Sequence, residues 1–278
     1  MSHPFRHAIC NEIYGKAPLA EVCRAIRRIG YTGIEIAPFT LSDRPLDLTP
    51  AVRREYRDII VSEGLTFVGL HWLMVSPKGL HVTTPDPSLR AKSWNHILEL
   101  IDLCADLGDH GIMVFGSPQQ RSTQGISTAE AIKHYSDGLA GVAGHAETRG
   151  VTILVEALPR NQSDVINTLA EAVAVVHQID SPAVRTMFDT HNAADELQPH
   201  VEVVERYFDL IRHVHVNEMD GRHPGTADYD FLALFRTLRH LGYQGWISLE
   251  AFDFTPGPEK IAADSLLFLN KEIAKLTV

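Results

Sequence analysis

Cysteine is scarce in this 278-residue chain: Cys10, Cys23 and Cys104 are odd in number, widely spaced and set in apolar segments. That pattern fits neither a disulfide framework nor a thiolate zinc site, and buried free thiols are expected. Positive charge is also in deficit, with 25 Lys and Arg against 35 Asp and Glu and a formal charge of −10. A broad electrostatic grip on nucleic acid phosphates is therefore not expected. No apolar run approaches the roughly 18 residues of a membrane span, and the start MSHPFRHAIC has no charged segment followed by an apolar core. A soluble cytoplasmic protein without a membrane partner is the default expectation. No glycine-rich phosphate turn follows the first strand-like segment, where CNEIYGKAP stands, which argues against a dinucleotide-binding open sheet.

What the chain does have is alternation. HAICNEI, GIEIAPF, LTFVGLHWL, GIMVFGSP, VTILVEAL, VRTMFDTH, HVHVNEM and WISLEAF read as eight strands. Between them run helical patterns. The first places Leu19, Val22, Cys23, Ile26 and Ile29 on one face and stops at Gly30. Others cover Thr49–Glu63, Pro85–Leu107, Ser127–Arg149 with a Ser-x-x-Glu start, Thr168–Ile179, a shorter stretch near Val201–Phe208, the region of Phe231 to Leu241, and the segment from Pro258 onward. Eight strand–helix pairs with no break in composition predict an α/β fold, a (β/α)8 TIM barrel forming one domain over residues 1–278.

Four of the strands end on ionisable groups: Glu156 in TILVEAL, Asp189 in RTMFDTH, His215 in RHVHVNE and Glu250 in GWISLEAF. Side chains alternate along a barrel strand, so His213, His215 and Asn217 share one face while Val214 and Val216 share the other. By the same count Glu250 lies with Trp246 and Ser248, Glu156 with Leu154 and Thr152, and Asp189 with Met187 and Arg185. Such barrels build their active sites at the C-terminal ends of the strands. Three carboxylates and an imidazole converging there repel one another unless a cation joins them. The oxygen-rich set suits one divalent ion, Mn2+ first, with Mg2+, Co2+ or Zn2+ as alternatives. His213 reads as a hydrogen-bonded interior histidine one layer below.

Other groups fall near the predicted mouth. His71 is placed to orient a ligand or touch substrate, or to make a structural hydrogen bond. Trp72 and Phe115 are candidates to wall a sugar ring, against simple packing. Glu12 and Ser117 also end strands there, and Arg121 reads as a solvated loop residue or a holder of hydroxyl-rich groups.

Taken together, these residues resemble the xylose-isomerase-like barrels that include ketose 3-epimerases, hydroxypyruvate isomerases and inosose dehydratases. The spacing 156, 189, 215, 250 is like that of the ketose 3-epimerase quartet, and HPGTADYDF is similar to that family's Pro-Gly-Thr-Gly-x-x-Asp-Tyr loop. The resemblance implies that Glu156, Asp189, His215 and Glu250 bind the metal and that Glu156 and Glu250 also move protons. It implies a small, non-phosphorylated keto-sugar or polyol as substrate, converted through an enediolate that the metal stabilises. It also suggests an assembly, a homo-oligomer (dimer or tetramer) or a hetero-oligomer. The chain departs from the family's pattern at several substrate positions. Asn192 stands where a histidine is usual, with His191 beside it; Gln162 replaces a glutamate; Ala227 replaces the loop glycine; and Arg222 is displaced by a residue from the expected arginine. Those departures leave a metal-dependent lyase or dehydratase on a keto-sugar, cyclitol or 3-keto-glycoside as the alternative. An abasic-site endonuclease-like enzyme needs further histidines after strand four, and VFGSPQQ has none. A catalytically dead binding barrel is disfavoured by the two glutamates.

Overall fold

Short β-branched runs separated by capped amphipathic helices leave few ways to bury both faces of each strand, and closure into a ring is the one this chain takes. The computed structural model describes residues 5–277. Its strands are β1 (Arg6–Cys10), β2 (Gly33–Ile36), β3 (Thr66–Leu70), β4 (Ile112–Phe115), β5 (Thr152–Val155), β6 (Val184–Asp189), β7 (Ile211–Val216) and β8 (Trp246–Leu249). Each pairs in parallel with the next, and β8 returns to β1, so the sheet is a closed barrel in chain order. The surrounding helices are α1 (Leu19–Ile29), α2 (Pro38–Leu41), α3 (Pro50–Ser62), α4 (Pro87–Leu107), α5 (Thr128–Arg149), α6 (Leu169–Ile179), α7 (His200–Tyr207), α8 (Phe231–His240) and α9 (Pro258–Ala274). The one-turn α2 is an addition to the sequence reading. Among the described residues no helix is long and apolar enough to cross a membrane. All three cysteines are buried free thiols.

Local chemistry sets the helix starts. Asp86 accepts from the N–H groups of Ser88 and Leu89 at 2.8 and 3.2 Å, and Asp230 accepts from Ala233 N at 2.9 Å. Ser127 accepts from Glu130 N at 3.2 Å and Thr168 from Glu171 N at 3.3 Å. Each satisfies a backbone donor that the helix itself leaves open.

Inside the barrel the layers differ. At the N-terminal end the Arg6 guanidinium lies 4.5 Å from the centre of the Trp246 ring. Gly33 makes room there, since a Cβ at that position would fall 2.7 Å from Trp246 and 2.8 Å from Val68. Val114, Leu154 and Met187 form a small apolar cluster of inward-facing residues. Their strand neighbours Met113, Phe115, Ile153 and Val155 point outward into the large core beneath the helices. Of the two roles weighed for Phe115, packing is the one observed, and it does not wall the mouth. Its ring packs against Trp94 and Tyr135 at centroid distances of 5.7 and 5.3 Å, because alternation gives the inward place to Val114.

The α4–α5 contact depends on a missing side chain. A Cβ on Gly138 would sit 1.8 Å from Trp94 Cε2, whereas Gly141 and Gly144 of the same helix face open space. Gly138→Ala is expected to lower stability by about 1–3 kcal/mol, overpacking outweighing the roughly 1 kcal/mol that alanine adds to a helix. Gly141→Ala and Gly144→Ala, with the same propensity gain and no clash, are expected to raise it. Denaturant midpoints for the three variants check the opposite signs.

Candidate metal centre and active site

The C-terminal rim brings the four strand-end residues together. Asp189 and His215 are register partners on β6 and β7, Glu156 directly follows β5, and Glu250 directly follows β8. Glu156, Asp189, His215 and Glu250 each offer a ligand atom, all within 4.8 Å of one another, and all four residues are buried. His215 Nδ1 lies 3.0 Å from Glu250 Oε2 and 3.6 Å from Asp189 Oδ2.

Each carboxylate is steadied from outside the cluster. Asn192 Nδ2 donates to Glu156 Oε1 at 2.9 Å, and the Asn192 backbone N–H donates to Asp189 Oδ1 at 2.8 Å. Asn217 Nδ2 approaches Asp189 Oδ2 at 3.4 Å, and Trp72 Nε1 donates to Glu250 Oε1 at 2.8 Å. Trp72 does so from a backbone φ of +49°, a left-handed conformation that costs a bulky residue about 1–3 kcal/mol. Gly116 completes the fit, for a Cβ there would lie 2.1 Å from Glu156 Oε2.

Beneath His215 sits a residue that the sequence reading passed over. Glu35, fully buried on β2, lies 2.7 Å from His213 Nε2 and 3.2 Å from His215 Nε2. An ionised carboxylate accepts from both, so each imidazole carries its proton on Nε2. Burial works against the Glu35 charge, but His213 and His215 outweigh it and hold the carboxyl well below its usual range. His213 thus occupies the interior, hydrogen-bonded place expected of it. Its Nδ1, left without a partner, is then a bare lone pair and not a stranded N–H. The signal for Glu35 was a lone carboxylate inside the apolar run GIEI, on the inward face by alternation.

With Nε2–H committed to Glu35, His215 turns Nδ1 toward the carboxylates. The donor set is then three carboxylates and one imidazole nitrogen, with a carboxylate fixing the far side of the ring, a composition that fits a hard divalent cation. Electrostatics agree with that need. Burial first, then the charges of Glu250 and Asp189, push the Glu156 carboxyl up to about 8. Burial also raises Glu250. For His215, burial opposes protonation but the surrounding Glu35, Cys10 and Glu250 outweigh it and raise the imidazole well above its ordinary value. A proton on Nδ1 and a metal ion compete for one place.

Above the cluster opens a cavity of about 610 Å3, reached by Glu156 and Glu250 from below. Trp72, Gln162, His191 and Asn192 line it, as does Ser117. Gln162 Nε2 lies 3.2 Å from His191 Nε2, and His191 Nδ1 donates to the Met219 carbonyl at 2.8 Å. Two further expectations, for Arg222 and Arg121, do not hold, and of the two roles weighed for His71 the structural hydrogen bond is the one observed. His71 is sealed away, bonded through Nε2 to Glu12 at 2.7 Å, and neither residue lines the cavity. Arg222 turns aside to the Asp220 carboxylate at 2.7 Å, within its own tight turn, and is likewise absent from the lining. Arg121 is neither solvated nor presented to ligand: it is fully buried, donating to the Phe115 and Glu156 carbonyls at 3.1 and 2.8 Å. Val75, Leu158 and Phe252 also line the cavity, and the sequence pattern did not single them out.

The model of the xylose isomerase-like TIM barrel matches residues 23–272. The chain belongs to that family. Among curated proteins it is 28% identical over 188 residues to a 3-dehydro-D-guloside 4-epimerase of Escherichia coli, covering 65% of this chain and 71% of that one. It is 23% identical over 268 residues to a probable ketose 3-epimerase of Synechocystis, covering 88% of both. The barrel superposes with a TM-score of 0.84 on a D-psicose 3-epimerase solved in the presence of D-fructose, at 20% identity and covering 97% of this chain and 99% of that one. A 3-keto-D-glucoside 4-epimerase from E. coli gives a TM-score of 0.82 at 23% identity, covering 96% and 99%.

If Glu35 presents His215 to a metal, Glu35→Gln is expected to weaken Mn2+ binding by about 10–100-fold, because an amide cannot accept from both imidazoles. Titration of the free ion by electron paramagnetic resonance, with circular dichroism as the fold control, checks it; unchanged affinity would remove Glu35 from the site.

Proposed function

We propose that this protein is a divalent-metal-dependent epimerase that inverts the carbon beside the carbonyl of a keto-sugar or keto-glycoside. The observation that carries the reading is the pair Glu156 and Glu250. They stand at the ends of β5 and β8, on different sides of the mouth, and both reach the same cavity. Inversion requires exactly such a pairing in kind: a base on one face of a carbon and an acid on the other. The relatives' names support the same chemistry, since a ketose 3-epimerase and a 3-dehydro-guloside 4-epimerase each act on a carbon adjacent to a keto group.

In this reading Glu156, Asp189, His215 and Glu250 hold the ion. When bound, it supplies positive charge that draws electron density onto the substrate's carbonyl oxygen. One glutamate accepts the proton as the C–H bond breaks, and the electron pair moves into the C–C bond to give an enediolate. The other glutamate returns a proton from the opposite face, and the electron pair on oxygen reforms the carbonyl. Trp72 and Asn192 fix Oε1 of Glu250 and Oε1 of Glu156, which holds each carboxylate in place for the reaction. Gln162 and His191 are positioned to bind substrate hydroxyls.

Turnover in heavy water is expected to place deuterium at the carbon beside the carbonyl, to stop after chelation and to return with Mn2+. Glu156→Gln and Glu250→Gln are each expected to lower kcat by roughly 10²–10⁴ without loss of the fold. Near-native rates in either variant would refute the roles given to them, and release of a substituent in place of inversion would assign a lyase instead.

A further inference from the structure

Besides the rim cluster, the described residues hold two further sets of three buried metal-ligating side chains. One of them, Glu35 with His213 and His215, is already accounted for by hydrogen bonds. The other is Cys10, Glu35 and His71, whose offered ligand atoms all lie within 4.8 Å of one another. Three consecutive strands supply it. Cys10 and Glu35 are register partners on β1 and β2, and His71 directly follows β3. All three side chains are fully buried.

His71 repeats the arrangement seen at His215. Its Nε2 lies 2.7 Å from Glu12 Oε2, as His215 Nε2 lies 3.2 Å from Glu35 Oε2. A carboxylate behind an imidazole fixes the tautomer and leaves the other nitrogen as a lone pair for a cation. That nitrogen, His71 Nδ1, has no hydrogen-bond partner, and neither has the buried Glu12 Oε1. Buried polar atoms left without partners call for an ion or a water.

Cys10 also differs from the other two thiols. Cys23 and Cys104 belong to the large apolar core, and Cys10 does not. Its sulfur meets polar atoms instead, His215 Nε2 and Ser248 Oγ, each at 3.8 Å. One sulfur, one nitrogen and one carboxylate make a softer donor set than the rim's three carboxylates and imidazole, and such a set favours Zn2+ over Mn2+. Glu35 has the capacity, since an ionised carboxylate accepts at roughly four places and the two imidazoles leave some of them free. Three protein ligands match an open zinc site with water in the fourth position. On binding, Cys10 gives up its thiol proton while His71 keeps its Nε2–H on Glu12. The cysteine spacing argues only against a site built from several thiolates, and this one uses a single sulfur.

We propose that Cys10, Glu35 and His71 form a second divalent-metal site in the barrel interior, selective for a thiophilic ion such as Zn2+, with Glu12 as the carboxylate that orients His71. The site does not depend on the epimerase reading of the rim.

Co2+ is the probe, because a thiolate ligand gives it an intense near-ultraviolet charge-transfer band that oxygen and nitrogen ligands do not. The full chain is produced with Co2+ in the growth medium, so that the ion enters during folding, and is then saturated with it. The rim set contains no sulfur, so the band reports on the interior site alone. The unaltered protein is expected to show the band and to lose it when Zn2+ is added. The double variant Cys23→Ala/Cys104→Ala, in which Cys10 is the one remaining thiol, is expected to keep it. Cys10→Ser is expected to abolish it, and Glu12→Gln to weaken Co2+ binding about 10–100-fold, with circular dichroism as the fold control. No band in the unaltered protein, its loss in the double variant, or its survival in Cys10→Ser overturns the site; unchanged affinity in Glu12→Gln overturns the role given to Glu12. Proton exchange in heavy water judges the rim separately, so the two readings fail independently.

Discussion

Crowding of negative charge at the top of the barrel is the constraint on which the rest of this structure depends. Glu156, Asp189 and Glu250 converge in a buried space, and like charges that close in low dielectric raise one another's proton affinity. The chain answers with an imidazole, and the imidazole is itself held by a carboxylate from the layer beneath. Glu35 accepts from His213 and His215, so the barrel interior is a column of alternating acid and base, not a purely apolar plug. Buried charge on this scale persists only when every member has a counterpart. Under the proposed reading, a divalent cation held at the rim would be the counterpart of the uppermost group.

The same constraint explains several local oddities. Trp72 is strained into a left-handed backbone conformation, and the compensation is an indole N–H aimed at Glu250. Gly116 has no side chain because Glu156 passes within 2.1 Å of where its Cβ would be. Asn192 spends both its backbone and its side-chain donors on two different carboxylates. Arg121 anchors the β4 and β5 ends through their carbonyls, so a buried guanidinium near the acids serves the scaffold and not the ligand. These are devices for holding charged atoms still, which the proposed metal-assisted proton transfer would require.

Much of this was legible in the amino-acid order. The strand ends Glu156, Asp189, His215 and Glu250 and the alternation in HVHVNE come from a period of two, which tertiary packing does not alter. Helix starts at Ser127, Thr168 and Asp86 follow from side chains that bond the nearest backbone N–H groups. Glu35 was legible in principle, as a carboxylate inside an apolar strand, yet its importance comes from His213 and His215 nearly 180 positions away. The substrate-facing roles considered for His71, Arg222 and Phe115 fail for a common reason. Closeness to a strand end says a residue is near the mouth, but not whether it turns inward, into a loop, or back under the helices.

The sequence by itself determined the fold class, the strand that carries each ionisable group and the face on which it emerges, because these depend on local periodicity and capping. Only the tertiary structure decided which neighbours those groups meet: Glu35 under His215, Trp72 on Glu250, Asn192 between two acids, and Phe252 beside Trp72. Barrel closure brings β1 against β8 and lets Trp72 after β3 meet Glu250 and Phe252 after β8, and no run of local sequence encodes a distance across the ring.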